Sequence, residues 1–204
     1  DLRVYGRVFV ATNGRGIVYG EINGTAVSPT PTKPTSPTPT PTNSEQGNKL
    51  SGYIAPDFTY SAEAGKTVKA GFKVELVGLG RSAITDENGY FEITGITEKI
   101  ASFNVKISKT GYLTRELDNI INGNKVLGTS ASPVLVWAGD LSQDGTINMS
   151  DIIIIAKHFG GVKGDGTYLL NADFNSDSSI NMSDVIILAK HFNATTSSYP
   201  ADIY

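Results

Sequence analysis

Asp140–Phe159 reads DLSQDGTINMSDIIIIAKHF, and Asp173–Phe192 reads DFNSDSSINMSDVIILAKHF. The second stretch begins 33 residues after the first and repeats it in register, which marks one supersecondary unit used twice. Each copy opens with oxygen-bearing side chains at positions 1, 3, 5, 7, 9 and 12 of a loop. They are Asp140, Ser142, Asp144, Thr146, Asn148 and Asp151 in the first copy, and Asp173, Asn175, Asp177, Ser179, Asn181 and Asp184 in the second. A tightly coiled loop turns alternate side chains inward and takes its last carboxylate from the first turn of the next helix, so this spacing predicts an EF-hand-type loop. Hard oxygen donors in that number suit calcium, one ion per loop. The plainer alternative is a pair of Asp-rich turns capping two helices; duplication in register weighs against it. Ile147 and Ile180, at position 8 of each loop, are expected to bridge the two loops through a short β contact.

Three departures should weaken the ion. Position 12 is Asp rather than Glu, position 3 of the first loop is the neutral Ser142, and Ser178 stands where glycine is expected for the sharp turn. Each loop also has a helix on its exit side only, because Ser132–Trp137 ahead of the first loop is strand-like. The first helix is predicted from Met149 to about Phe159, with Ile152, Ile155 and Phe159 as its core stripe. Ile153 and Ile154, and Val185–Leu188 in the second helix, widen the apolar surface beyond what two short helices can cover, and such excess marks a binding face. Its duplicated flanks are Met149, Ser150, Lys157 and His158, and Met182, Ser183, Lys190 and His191; Ile153 and Ile186 lie between them. Taken singly, each Met could be core packing and each Lys a solvated last turn that complements the helix dipole.

Working outward, Leu50–Trp137 reads as strands. Val68, Ala70, Phe72, Val74 and Leu76 share one parity and predict one half-buried strand. Phe91 and Ile93, then Phe103, Val105 and Ile107, repeat the pattern, and Asp86–Gly89 supplies a turn. Short strands divided by turns predict a small β-sandwich. Ser28–Thr42, SPTPTKPTSPTPTPT, has no large apolar residue and reads as an extended linker. Ahead of it, Val8 and Val10, then Ile17 and Val18, predict a hairpin left over from an upstream domain. The expected organisation is thus multi-domain: a remnant (1–27), a linker (28–47), an all-β sandwich (48–138), a small all-α duplicated half-EF-hand module (139–198) and a tail (199–204).

Composition excludes much else. There is no Cys, so disulfides, Cys-ligated zinc and thiol catalysis are out. Only two His are present, and the formal net charge of −3 argues against a nucleic-acid surface. No apolar run is long enough to span a membrane. The opening Asp1-Leu2-Arg3 reads as an internal start, so the chain is expected to be a piece of something longer.

The paired loops, each with only an exit helix, resemble a dockerin, the calcium-dependent plug of bacterial cellulosomes. SGYIAPDF at Ser51–Phe58 and TDENGYFEITGI at Thr85–Ile96 resemble the X-module that precedes type II dockerins, an Ig-like sandwich. RVYGRVFVATNGRGIVYGEI, at Arg3–Ile22, resembles the C-terminal end of seven-bladed-propeller xyloglucan hydrolases. The first two resemblances imply a cohesin partner, type II or type II-like, on a scaffold or cell-surface anchor. They place Met149-Ser150 and Met182-Ser183 at the recognition positions, where the Ser-Thr pair common in type I dockerins is absent. The third implies a secreted plant-polysaccharide hydrolase upstream, with no catalytic residue in this chain. No obligate homo-oligomer is expected. Because the two halves share their recognition residues, the partner could accept the module in two orientations related by a half-turn. No linker separates Trp137 from Asp140, so the sandwich and the helical module are expected to pack as one body, with Trp137 at the seam and Tyr199-Pro200 folding back on the helical module. Other readings are a calcium sensor or adhesion module, type I cohesin specificity, and an enzyme built on Asp173 and Asp177; the last is weak because both are already accounted for as ligands.

Overall fold

Strand β1 (Arg7–Thr12) pairs antiparallel with β2 (Gly16–Glu21) in the computed structural model, which describes residues 7–12, 16–21 and 47–201. This is the hairpin that the alternation predicts. Its turn, the Pro/Thr linker and the end of the tail lie outside the described residues. Residues 1–43 and 44–204 form two separate units, and the second holds everything that follows.

Strand β3 (Asn48–Pro56) is the spine of the first sheet. Next come α1 (Ala62–Lys69), β4 (Lys73–Leu76), β5 (Arg81–Ile84) and β6 (Tyr90–Ile96), then β7 (Ser102–Ser108), β8 (Arg115–Ile121), β9 (Lys125–Leu127) and β10 (Val134–Val136). One edge of β3 pairs antiparallel with β6; the other pairs in parallel with β9 along Leu50–Gly52 and with β10 along Ile54–Pro56. A Cβ on Gly52 would lie 2.0 Å from the Leu127 carbonyl oxygen, so only glycine admits β9 this closely. The second sheet runs β5-β4-β7-β8, antiparallel throughout. Leu50, Phe72, Val74, Phe91, Val105 and Ile107 fill the space between them.

The single strand expected over Val68–Leu76 is corrected. Val68 belongs to α1 and only Lys73–Leu76 is strand. Residues four apart face one side in both periods, so Val68 and Phe72 are both buried although the backbone between them changes type. Local chemistry favours the helix. The Ser61 hydroxyl accepts from Ala64 N–H at its start. At its end the Lys109 ammonium donates to the carbonyls of Val68 (3.0 Å) and Ala70 (2.7 Å). Burial pushes that ammonium down to about 8, and the Phe72 and Tyr112 rings it covers compensate.

The chain enters the helical half without leaving the sandwich. Leu113 N–H donates to Trp137 O (2.8 Å) and Gly139 N–H to Gly111 O (2.9 Å). Helix α2 (Met149–His158) and helix α3 (Met182–Ala189) follow, with short 3-10 turns at Leu170–Ala172 and Thr196–Ser198. One apolar core runs through both halves: Phe72 meets Tyr112 edge-on at 4.9 Å, Tyr112 meets Phe174 at 6.2 Å, and Ile147, Ile155, Ile180 and Leu188 continue it.

Candidate metal centres and docking face

Each loop is wound around its carboxylates. Asp140 accepts from the N–H groups of Asp144 and Gly145, both at 3.1 Å; Asp173 accepts from Asp177 (3.1 Å) and Ser178 (3.0 Å), and from the Tyr168 hydroxyl (2.7 Å). Position 9 is the N-cap of each helix: the Asn148 side chain accepts from Ser150 N–H and that of Asn181 from Ser183 N–H, both at 2.7 Å. Position 12 completes a capping box by reaching back, Asp151 to Asn148 N–H (2.8 Å) and Asp184 to Asn181 N–H (3.0 Å). The second oxygen of each crosses the loop, to Ser142 N–H and Phe174 N–H, both at 2.8 Å. The short Asp at position 12 therefore serves cap and loop together. At position 5, Asp144 accepts from Thr146 N–H, and Asp177 from the Ser179, Asn175 and Asn181 side chains.

Four of these carboxylates are buried: Asp140 at 3 % exposure, Asp173 at 5 %, and Asp151 and Asp184 at 0 %. Among the described residues no Lys, Arg or His pairs with them. Burial pushes the Asp140 carboxyl up, and the neighbouring Asp151 charge adds to the rise; burial and the Asp173 charge do the same to Asp184. Burial also works against Asp177, but hydrogen bonds from Ser179 and Asn175 hold it low. Uncompensated buried carboxylates of this kind call for a cation. Among the described residues no three acidic or His side chains gather tightly enough to hold an ion by themselves. Ser142, Thr146 and Asn148 add neutral oxygens to the first loop, and a mixed set of this kind suits calcium rather than zinc.

Backbone strain at position 6 differs between the loops. Position 6 is left-handed in both, at φ +81° for Gly145 and +74° for Ser178. A left-handed non-glycine residue costs about 1–2 kcal/mol. Ser178→Gly is expected to raise stability by about 1 kcal/mol, less the entropy gained by the unfolded chain. Urea titration with and without calcium checks this.

The expected contact between Ile147 and Ile180 is corrected. Ile147 N–H donates to Ala194 O (2.8 Å) and its carbonyl accepts from Asn193 N–H (2.7 Å); Ile180 N–H donates to Gly161 O and its carbonyl accepts from Gly160 N–H, both at 2.8 Å. Each loop thus pairs with the segment leaving the other loop's helix. The core stripe is also shorter than expected. Ile155 is buried and Ile152 half-buried, but Phe159 is 51 % exposed because α2 ends at His158 and the chain turns away through Gly160 at φ +83°.

The predicted recognition residues lie on one exposed strip of each helix. Met149, Met182, Ile153 and Ile186 are at least half exposed, and Ser150, Ser183 and Lys157 are open to water. The two C-terminal flanks differ. His158 contacts Thr167 O (2.7 Å) within the helical half. Lys190 and His191 instead reach the sandwich: the Lys190 ammonium donates to Asp57 O (2.7 Å) and lies 3.0 Å from its carboxylate, and His191 Nε2 lies 2.9 Å from Asp57 Oδ2. The His191 ring stacks on Trp137 at 4.1 Å with 7° between planes, and Tyr199 stacks on Trp137 at 4.1 Å. Burial lowers the His191 imidazole even though Asp57 pulls the other way. The Tyr199 hydroxyl accepts from Trp137 N–H (2.9 Å) and donates to Leu113 O (2.8 Å). Trp137 sits at the seam as expected, but Tyr199 closes on the sandwich rather than on the helical half. Asp57 and Leu113 carried no signal in the sequence.

Comparison with known proteins agrees with this architecture. The dockerin type I domain family matches residues 138–193. A chain of a type II cohesin–X-dockerin complex from Acetivibrio cellulolyticus, an N-terminal interface mutant, is 48% identical with a TM-score of 0.70; the match covers 75% of this chain and 100% of that one. The chain belongs to the X-module–dockerin family. An X-dockerin is a non-catalytic binding unit, and its helical half is a calcium-binding module. Cellulosomal-scaffolding protein B of Acetivibrio thermocellus is 43% identical over 125 residues, which are 61% of this chain and 16% of that protein. A xyloglucanase of the same species is 68% identical over 31 residues, 15% of this chain and 4% of its own length, in keeping with the resemblance of the N-terminal segment. The chain therefore spans a small part of these curated relatives. Among the described residues no helix is long and apolar enough to cross a membrane.

Proposed function

We propose that this X-dockerin binds a cohesin in a calcium-dependent way and so fastens an upstream polysaccharide-degrading domain to an extracellular scaffold or cell-surface anchor. The observation that carries this is the duplicated exposed strip, Met149, Ser150 and Ile153 with Met182, Ser183 and Ile186, standing on two loops of buried, unpaired carboxylates. Asp140, Ser142, Asp144, Thr146, Asn148 and Asp151 would hold one ion, and Asp173, Asn175, Asp177, Ser179, Asn181 and Asp184 a second. When bound, calcium supplies positive charge that lets the carboxylates stay ionised in a dry loop. The capping boxes then fix where each helix starts, and so where its Met and Ser project. The methionines and isoleucines form the dry centre of the contact; the serines, Lys157 and His158 add hydrogen bonds and charge at its rim. The xyloglucanase-like 31 residues support a plant-polysaccharide hydrolase as the upstream domain.

Type II specificity rests on the X-module and on the 48% identical type II complex. Type I specificity is the second reading, favoured by the family match at 138–193. A pull-down of the full chain against type I and type II cohesins, with calcium or with EDTA, tests both. Retention by a type II cohesin in calcium and release in EDTA is expected. Retention by type I alone reverses the specificity, and retention by neither overturns the function.

A further inference from the structure

The two recognition flanks are near-identical in sequence, Lys157-His158 after MSDIIIIA and Lys190-His191 after MSDVIILA. Two equal flanks allow a partner to dock in two orientations. The fold treats them unequally. Asp57 takes the Lys190 ammonium and accepts from His191 Nε2, and Trp137 covers the His191 ring. Beside them Pro56, Phe58 and Leu135 wall one side of a groove of about 890 Å³ whose other side is α3, at Ser183, Ile186 and Lys190. The first flank meets no such wall: among the described residues no hydrogen bond or ion pair joins Met149–His158 to residues 48–138. A partner that needs Lys190 and His191 must first break the Asp57 pair, unstack Trp137 and pass the edge of the X-module. A partner that uses Lys157 and His158 breaks only the His158–Thr167 contact.

We propose that the X-module selects the docking orientation: Asp57 ties Lys190-His191 to the X-module, and the cohesin engages the chain through Lys157-His158. This rests on the cohesin reading above. Asp57 is a positioning residue that touches no partner. If both orientations were open and equal, disabling one would cost at most a factor of two in affinity, since half the binding modes remain. A single orientation loses its whole contact.

The test is calorimetric titration of the full chain with a type II cohesin in saturating calcium, comparing Lys157→Ala with Lys190→Ala. Lys157→Ala is expected to weaken binding at least tenfold and Lys190→Ala less than twofold. In an Asp57→Asn background, which frees the second flank but keeps its volume, the Lys157→Ala loss is expected to shrink below about threefold; melting curves recorded alongside show that each variant is folded. Equal small losses from both lysines in the parent chain, or a large loss from Lys190→Ala alone, would overturn the selection while leaving cohesin binding intact. An Asp57→Asn background that leaves the tenfold loss unchanged would overturn the role of Asp57. Failure of the parent chain to bind would overturn the cohesin reading itself and this inference with it.

Discussion

Removing calcium is expected to unfold the helical half while the sandwich survives. Four carboxylates, Asp140, Asp151, Asp173 and Asp184, are at most 5 % exposed and lack a basic partner among the described residues. Without a cation they must repel one another or take up protons, and the effective penalty for an unpaired buried charge is several kcal/mol. An ion present at a thousand times its dissociation constant stabilises by about 4 kcal/mol per site. Two such sites exceed what two short helices can supply by themselves. Core residues Leu50, Phe91 and Val105 pack between the sheets, so the strands should persist. EDTA should therefore remove most of the helical circular dichroism at 222 nm and leave the strands with the short α1. The only tryptophan, Trp137, lies at the seam, so its fluorescence should shift to the red in the same titration. An unchanged spectrum and unchanged fluorescence in EDTA would refute calcium-dependent folding.

The second large effect is at that tryptophan. Trp137→Ala removes a ring held between His191 and Tyr199 and opens a cavity where the two halves meet. Fully buried Trp-to-Ala changes cost about 3–5 kcal/mol. Trp137 is only partly buried, so about 3 kcal/mol is expected. For a unit of this size that lowers Tm by roughly 6–12 °C. Trp137→Phe keeps an aromatic face and should recover most of the loss. Scanning calorimetry in saturating calcium separates this from any effect on the ions. A fall no larger for Ala than for Phe would mean that neither the stack nor its apolar area stabilises the seam.

The loops were legible in the sequence because their chemistry is periodic: helix capping alone needs one or two oxygens, not six at alternate positions, and the copy 33 residues later repeats all six. The buried parity of Phe72, Val74 and Leu76 was legible for the same reason. Helix α1 was not. Val68 and Phe72 fit either period, and what chooses between them, the Ser61 cap and the distant Lys109 ammonium, is one local residue and one forty positions away. Asp57 was invisible because its partners lie 133 and 134 residues on, with no pattern joining them. The pairing of the position-8 isoleucines also went astray. Ile147 and Ile180 looked like mates because they are equivalent, yet each finds its partner past the far end of the other helix.

That crossed pairing has a consequence for how the helical half exists at all. Neither copy completes its own backbone ladder: the first depends on Asn193 and Ala194, the second on Gly160 and Gly161. The arrangement is that of a self-complementary dimer written into one polypeptide. A lone copy would be left with an open ladder and an uncovered Ile155 or Leu188, so neither half has a folded life of its own.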